Sequence, residues 1–235
     1  MKSALTDASQ RHAAVVIAAL DEAANIERFY ERLCRALQAL PHTRFEFIWL
    51  VEGTDGTADR LRRLGKVKAA PPFPIVEPAE RRGLGPRSGW ASMWSDDADI
   101  VVTMDADLNH QAEDLGRLLD AFETEKADIA IGSRQVPGAD IRGMALWSVN
   151  RLLRQFFRLP IRDVSSGYRI YCASALRRIR FESEGYAFLP EIVVLAFKHR
   201  MRVTEVPITF TQRQQGQSKL YLVETGRSYL HLFAR

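Results

Sequence analysis

The sequence predicts an α/β protein in which helices flank a mostly parallel β-sheet. Two observations predict this class. Over the first 135 residues, short β-branched runs alternate with amphipathic helical patterns. The runs are apolar almost throughout, which is typical of parallel strands that are buried on both faces. Ligands of such sheets bind in the crevice at the carboxyl ends of the strands, so the residues that follow each strand are the first candidates for function.

The first half of the chain predicts five strands with helices between them. The strands are expected at residues 12–20, 45–51, 73–77, 99–104 and 127–133, and the third has the weakest pattern. Helices are indicated by apolar residues that recur at i, i+3, i+4 and i+7. They are expected from Ile26 to Leu37, over 54–64 with a Thr or Asp cap, and from Leu115 to Phe122.

The alternation becomes looser after Pro137. We expect a basic helix over 144–158, a strand within SGYRIY (166–171) and a helix over 188–199. The run 202–210 is interrupted by Pro207, which predicts a strand at an edge of the sheet. Residues 218–235 form an aromatic-rich amphipathic pattern. No repeat or low-complexity linker divides the chain, so we expect a single domain over 1–235.

Composition excludes several classes of protein. The apolar share of 46% and the charged share of 26% are ordinary for a globular domain and rule out disordered, collagen-like and coiled-coil chains. No run approaches the ~18 apolar residues of a transmembrane helix, and the N-terminal residues lack a signal-peptide pattern. Cys34 and Cys172 are too few for a disulfide scaffold and lack metal-ligand spacing. We therefore expect a cytoplasmic location.

The charge distribution is more informative than the net charge of +4, which is too small to indicate nucleic acid. Arginines concentrate in 142–180 and 200–213, and acidic residues in 96–125. The basic segments would suit a phosphate-bearing ligand or an anionic membrane surface. An ordinary solvated surface explains each segment equally well.

The most specific local signal is Asp105-Ala106-Asp107, directly after the fourth predicted strand. Two carboxylates at the end of a strand point into the ligand crevice, and placing them together is costly unless a cation compensates them. Such oxygen ligands suit Mg²⁺ or Mn²⁺. Asn109 is a further candidate ligand. The alternative is a turn that caps the next helix, with Asn109 as the cap.

Acidic residues also follow the first two strands. Asp21-Glu22 come after the first strand, and Glu52 opens the segment EGTDGT after the second. Their carboxylates could accept hydrogen bonds from a base or ribose. Both segments also suit helix N-caps. We expect Glu22 and Glu52 to serve in both ways.

Eight segments in this order resemble the family 2 glycosyltransferases with the GT-A (Rossmann-like) fold. They are VVIAALDEAANI (15–26), LVEGTDGTAD (50–59), RRGLGPRSGW (81–90), VVTMDADLNH (101–110), ADIAIGSR (127–134), RDVSSGYRIY (162–171), GYAFLPEI (185–192) and VPITFTQRQQGQSKL (206–220). Within that family, the succession is similar to dolichyl-phosphate and polyprenyl-phosphate mannosyltransferases. The resemblance implies a nucleotide-sugar half over about 12–135 and an acceptor side over about 136–235.

The resemblance also implies roles for matching residues. Nucleotide-sugar contacts fall on Ala18, Leu20, Glu22, Leu50, Glu52, Asp105, Ala106, Asp107, Arg213 and Lys219. Asp105, Asp107 and Asn109 would hold Mg²⁺ or Mn²⁺, and Arg134 would meet the acceptor phosphate. Catalysis would rest on Asp107 and Arg134, with Glu191 as the general base if the acceptor were a hydroxyl.

The implied reaction transfers a sugar, with inversion, from a nucleotide donor, GDP-mannose above all, to a polyprenyl phosphate. One alternative is a UDP-sugar donor with a lipid-phosphate or saccharide-hydroxyl acceptor. Another is an inactive nucleotide-binding relative, because Ala18-Ala19-Leu20 replaces the Pro-Thr-Tyr of similar proteins. A lipid acceptor implies peripheral contact with the cytoplasmic face of a membrane, through 218–235 or through a membrane-embedded partner subunit. The other role for 218–235 is to pack on the core.

Overall fold

A seven-stranded sheet forms the centre of the computed structural model, which describes residues 10–67, 73–77, 96–134, 150–183 and 187–211. The strand order across the sheet is β3-β2-β1-β4-β6-β5-β7. Within these residues the strands are β1 Arg11–Leu20, β2 Thr43–Glu52, β3 Ile75–Val76, β4 Ile100–Asp105, β5 Ile129–Ser133, β6 Arg169–Cys172 and β7 Val203–Pro207.

Helices follow most of the strands. They are α1 Ile26–Gln38, α2 Thr57–Val67, α3 Leu115–Thr124, α4 over 150–157, α5 Ala173–Leu176 and α6 Phe188–Lys198. A single 3₁₀ turn, Ala112–Asp114, leads into α3. The predicted helix 54–64 begins later than expected because Gly56 adopts a φ of 90° and the chain is still turning there. The predicted final helix lies outside the described residues.

The sheet is mostly parallel, as predicted, with one reversed strand. Strands β3, β2, β1 and β4 are parallel to their neighbours, and β5 is parallel to β7. Strand β6 lies between β4 and β5 and is antiparallel to both. The edge position predicted for the strand interrupted by Pro207 is confirmed, because β7 ends at that residue and pairs with β5 at one end of the sheet order.

Apolar clusters cover both faces of the sheet. One cluster places α1, α2 and α3 against Trp49 and the odd-numbered residues of β1. The other places α4, α5 and α6 against Ile48 and the even-numbered residues of β1. Strand residues alternate between the faces, and both faces are buried, which explains why β1 has almost no polar residues. The described part of the chain contains no helix that is long and apolar enough to span a membrane.

Candidate active site

The register of the central strands places several predicted site residues side by side. Ala18 on β1 pairs with Leu50 on β2 and with Asp105 on β4. Two residues further along the same strands, Leu20 on β1 pairs with Glu52 on β2. Because residues two apart on a strand share a face, all five lie on one face at the carboxyl edge of the sheet. Leu50 is buried in the core, whereas the other four are partly exposed.

A carboxylate locks the loop after β1 to the loop after β2. Asp21 Oδ1 accepts a hydrogen bond from the Thr54 amide at 2.8 Å, and the Asp21 amide donates to the Glu52 carbonyl at 3.0 Å. Asp21 has a φ of 49°, an unusual conformation for a residue with a side chain. Its carboxylate occupies the space beside Gly53, where a Cβ atom would lie 1.9 Å from Asp21 Oδ1. Gly53 is therefore required by close approach as well as by its own φ of 103°.

The same two loops are joined a second time through Asp55 and Thr57. Asp55 Oδ2 accepts from the Ala23 amide at 2.8 Å, and the Thr57 hydroxyl accepts from the Glu22 amide at 2.8 Å. The Glu22 side chain is buried, and its Oε2 accepts from Asn25 Nδ2 at 2.7 Å. The Glu22 carboxylate thus holds the Asn25 side chain at the start of α1, but Asn25 is the N-cap residue and the helix has no side-chain cap, so the expectation that Glu22 caps this helix is wrong. The contact of Glu22 with a nucleoside remains a prediction.

Replacing Gly53 with alanine is expected to destabilise the protein by more than the ~1 kcal/mol of left-handed backbone strain alone. The new methyl group would displace Asp21 and so loosen the loops after β1 and β2. Gly56→Ala is the matched control, because Gly56 has a φ of 90° but no atom within 4 Å of the place where a Cβ would lie. Urea unfolding of both variants measures the difference, and equal losses would contradict a role for the Asp21 contact.

The carboxylates predicted to bind a metal lie at the end of β4 and in the turn that follows. Asp107 Oδ1 accepts from the Asn109 amide at 3.0 Å, and Asp107 Oδ2 accepts from Asn109 Nδ2 at 2.7 Å. The turn passes through Leu108, whose φ is 61°. The helical turn at Ala112 has Gln111 at its N-cap position and no side-chain cap. The alternative in which Asn109 caps this helix is therefore wrong.

Electrostatics at this turn favour a bound cation. Partial burial and the neighbouring Asp107 carboxylate raise the pKa of Asp105 above its usual range, while Arg134 acts in the opposite direction. Asn109 Oδ1 is buried and accepts no hydrogen bond from the described residues. Two carboxylates and an oxygen without a donor fit Mg²⁺ or Mn²⁺, which keep positions for water and phosphates. The described ranges contain no group of three or more His, Cys, Asp or Glu side chains suited to a metal.

The Ala106 backbone is only partly available to a ligand. Its amide donates to the Ala18 carbonyl at 2.9 Å, and the residue is fully buried. A backbone contact with a nucleotide, as the resemblance implies, would therefore fall to its carbonyl oxygen.

Arg134, at the end of β5, is held by a buried carboxylate. Its Nε and Nη2 each donate to Asp163 at 2.7 Å, and Nη2 also donates to the Ser165 hydroxyl at 2.7 Å. Burial alone would raise the pKa of Asp163, but the charge and hydrogen bonds of Arg134, with Asn150, lower it to about 2. The guanidinium lies 5.9 Å from the centre of the Phe210 ring. The predicted acceptor-side arginine is therefore fixed in position before any ligand binds.

The loop that carries Asp163 is itself anchored. Glu205 on β7 accepts hydrogen bonds from the backbone amides of Arg162 and Asp163 at 2.6 and 2.8 Å. Arg169, fully buried on β6, donates to the carbonyls of Val164, Ser166 and Leu189. Neither Asp163 nor Arg169 was predicted from the sequence. The segment RDVSSGYR contains both, but the pattern alone does not distinguish them from residues of a solvated loop.

Comparison with known proteins identifies the family. Residues 14–183, more than half of the chain, match the family model described as glycosyl transferase family 2. The chain belongs to glycosyl transferase family 2. Membership agrees with the mostly parallel sheet and with the carboxylate pair at the end of β4.

Two similar proteins are named as enzymes that mannosylate a polyprenyl lipid phosphate. The chain is 41% identical over 131 residues to an undecaprenyl-phosphate mannosyltransferase of Micrococcus luteus, an alignment that covers 52% of this chain and 53% of the relative. It is 40% identical over 133 residues to a polyprenol monophosphomannose synthase of Mycolicibacterium smegmatis, covering 52% and 49%. The aligned part is thus about half the length of each of these relatives.

A solved structure supports the GT-A fold. The glucosyl-3-phosphoglycerate synthase of Mycobacterium tuberculosis, crystallised with Mn²⁺, UDP and phosphoglyceric acid, superposes with a TM-score of 0.70. The superposition covers 95% of this chain and 76% of that one at 20% identity. The fold class predicted from the sequence is confirmed.

Three predicted site residues remain: Glu191, whose contacts the structure shows, and Arg213 and Lys219. Glu191 is buried in the first turn of α6, and its Oε2 accepts from the backbone amides of Glu182 and Ser183 at 3.1 and 2.7 Å. These contacts anchor the preceding loop, and a role as general base stays a prediction. Arg213 and Lys219 lie outside the described residues.

Proposed function

We propose that the protein transfers a sugar, mannose from GDP-mannose, to a polyprenyl phosphate, with a divalent cation and with inversion. Family membership and the lipid-phosphate names of similar proteins support the proposal. The observation that carries it is the arrangement of charges at one edge of the sheet. The Asp105 and Asp107 carboxylates follow β4, and the Arg134 guanidinium follows β5, close enough to affect the pKa of Asp105.

The carboxylate side of this edge suits a donor diphosphate. Asp105, Asp107 and Asn109 Oδ1 would hold Mg²⁺ or Mn²⁺, which when bound neutralises the charge of the departing nucleoside diphosphate. Ala18, Leu20 and Glu52, on the same face of β1 and β2, would line the nucleoside side. These contacts would fix the donor at one position relative to the sheet.

The arginine side suits the acceptor. Arg134 would orient the phosphate oxygen toward the anomeric carbon, on the face opposite the leaving group. A phosphate monoester is already ionised near neutral pH, so positioning suffices and no strong general base is needed. The buried hydrogen bonds of Glu191 agree with this: its carboxylate already anchors backbone amides, whereas a hydroxyl acceptor would need a base.

The test is a transfer assay with the full chain. GDP-mannose, undecaprenyl phosphate in detergent and Mn²⁺ are incubated with the protein, and mannosylated lipid is measured by mass spectrometry. Parallel reactions contain EDTA, or UDP-glucose in place of GDP-mannose. Product that requires GDP-mannose and metal is expected. If product forms only with UDP-glucose, the donor is a UDP-sugar and not GDP-mannose. Nucleotide binding without any product would contradict an enzymatic function.

A lipid acceptor requires contact with a membrane, and the exposed residues of helix α4 support a role for this helix in that contact. Leu152 and Phe156, four residues apart and so on one side of the helix, are 56% and 58% exposed. The basic residues Arg151, Arg154 and Arg158 lie on or next to the same segment. Exposed apolar side chains beside arginines are typical of a helix that lies in the interface of an anionic bilayer.

Replacing both Leu152 and Phe156 with serine is expected to weaken binding to anionic phospholipid vesicles by about tenfold or more, because each apolar side chain contributes about 1.5–3 kcal/mol when buried. Vesicle sedimentation measures the effect. Gln155→Ser, an exposed position on the same helix, is the control. Binding that the double variant retains in full would assign the membrane contact to another surface.

A further inference from the structure

His110 is a buried polar side chain that the proposed reaction does not yet use. The residue is 4% exposed, and neither Nδ1 nor Nε2 has a hydrogen-bond partner within the described part of the chain. A buried donor or acceptor without a partner costs free energy, so such a group in a native protein calls for an explanation, for example a catalytic role or an ion bound nearby. The position of the ring indicates which explanation applies.

The imidazole is held firmly in place. The His110 backbone forms an antiparallel bridge with Phe210, and the Thr211 amide and hydroxyl donate to the carbonyls of Asn109 and Leu108 at 2.9 and 3.0 Å. The ring centre lies 5.5 Å from the ring centres of both Tyr168 and Phe210. These contacts leave the ring little freedom to turn toward solvent.

The ring edge faces the predicted metal site. His110 Nδ1 is 3.9 Å from Asp105 Oδ2, beyond hydrogen-bond distance but within reach of a small rotation of the Asp105 side chain. The Asp105 side chain is 39% exposed, so it can move more freely than the buried ring. A carboxylate that binds a metal through one oxygen is commonly fixed by a hydrogen bond to its other oxygen.

We propose that His110 is a positioning residue for the divalent cation: its Nδ1–H donates to Asp105 Oδ2 and so fixes that carboxylate as a metal ligand. The inference rests on the proposed function, since it needs the cation at Asp105 and Asp107. It accounts for the buried Nδ1, which then gains a partner when the site is filled. If His110 lacks this role, its ring only packs between Tyr168 and Phe210, and a phenylalanine at this position would pack equally well.

The test is the affinity of the full chain for Mn²⁺ at one fixed GDP concentration, from the decrease in the electron paramagnetic resonance signal of free Mn²⁺ relative to the same GDP solution without protein. His110→Phe retains a ring and removes both nitrogens. His110→Asn places an amide near the Nδ1 position, and His110→Gln places one near the Nε2 position. We expect His110→Phe and His110→Gln to weaken Mn²⁺ binding by about 10–100-fold, and His110→Asn to remain within a few-fold of the wild type.

Each outcome decides the inference. Unchanged Mn²⁺ binding in His110→Phe, or binding as weak in His110→Asn as in His110→Gln, would overturn it. If His110→Phe fails to give a cooperative thermal transition, the comparison of the Asn and Gln variants decides alone. No Mn²⁺ binding by the wild-type chain would overturn the proposed metal site itself, a result distinct from failure of the His110 role.

Discussion

Asp107→Asn is expected to reduce sugar transfer by at least about 100-fold, because a bound metal contributes several kcal/mol to a transition state and each ~1.4 kcal/mol is a factor of ten in rate. The same variant should unfold in metal-free buffer at nearly the same urea concentration as the wild type, because the loss of one hydrogen bond from Asn109 is offset by the loss of a charge. The substitution removes the repulsion between two neighbouring carboxylates. The measurements are the transfer assay and urea unfolding in EDTA.

Asp120→Asn is the control for this prediction, since Asp120 is exposed on α3 and its loss changes the net charge equally. Its activity should be that of the wild type. If Asp107→Asn kept full activity in the presence of Mn²⁺, the carboxylate pair would not be a metal site. Loss of both activity and stability would instead assign Asp107 to the structure of the turn.

Asp163→Ala is expected to cost about 3–5 kcal/mol of stability at neutral pH, because it leaves the Arg134 guanidinium without its buried partner. The pKa of Asp163 is lowered in the folded state to about 2, below its value in the unfolded chain. Its contribution is therefore complete above the unfolded pKa of about 4 and declines as the pH falls toward 2. Urea unfolding of both proteins between pH 7 and pH 2 should show the difference becoming smaller.

The double variant Asp163→Ala with Arg134→Met distinguishes the contribution of the ion pair to stability from that of side-chain packing. Removing both charges should restore part of the stability lost in Asp163→Ala, since no uncompensated guanidinium remains. A stability difference that stays constant across pH, or a double variant that loses the sum of the two single effects, would show that the ion pair does not stabilise the loop.

The sequence predicted the features that depend on local patterns. Apolar runs located the strands within a few residues, although only Ile75–Val76 of the expected 73–77 is paired. Pro207 predicted the edge strand, and Asp105-Ala106-Asp107 predicted the carboxylate pair. Family resemblance indicated Arg134, whose position at the end of β5 is observed.

The features that the sequence did not predict depend on contacts between distant residues. Arg134 and Asp163 are 29 positions apart and meet only because β6 returns beside β5. His110 is buried because Phe210, from the segment after β7, covers it. Hydrophobic periodicity predicts neither the direction of a strand nor the burial of a histidine. Both depend on how elements that come later in the chain pack.

The reversed strand β6 has a consequence for how the protein is made. Synthesis runs from the N-terminus, and β5 emerges from the ribosome before β6, although within the described sheet β5 pairs only with β6 and β7. Until residue 172 has emerged, β4 exposes one backbone edge and β5 exposes two, and such edges invite pairing with other chains. The nascent chain therefore passes through a stage with unpaired strand edges, and the two charged sides of the site come together only when β6 has taken its place between β4 and β5.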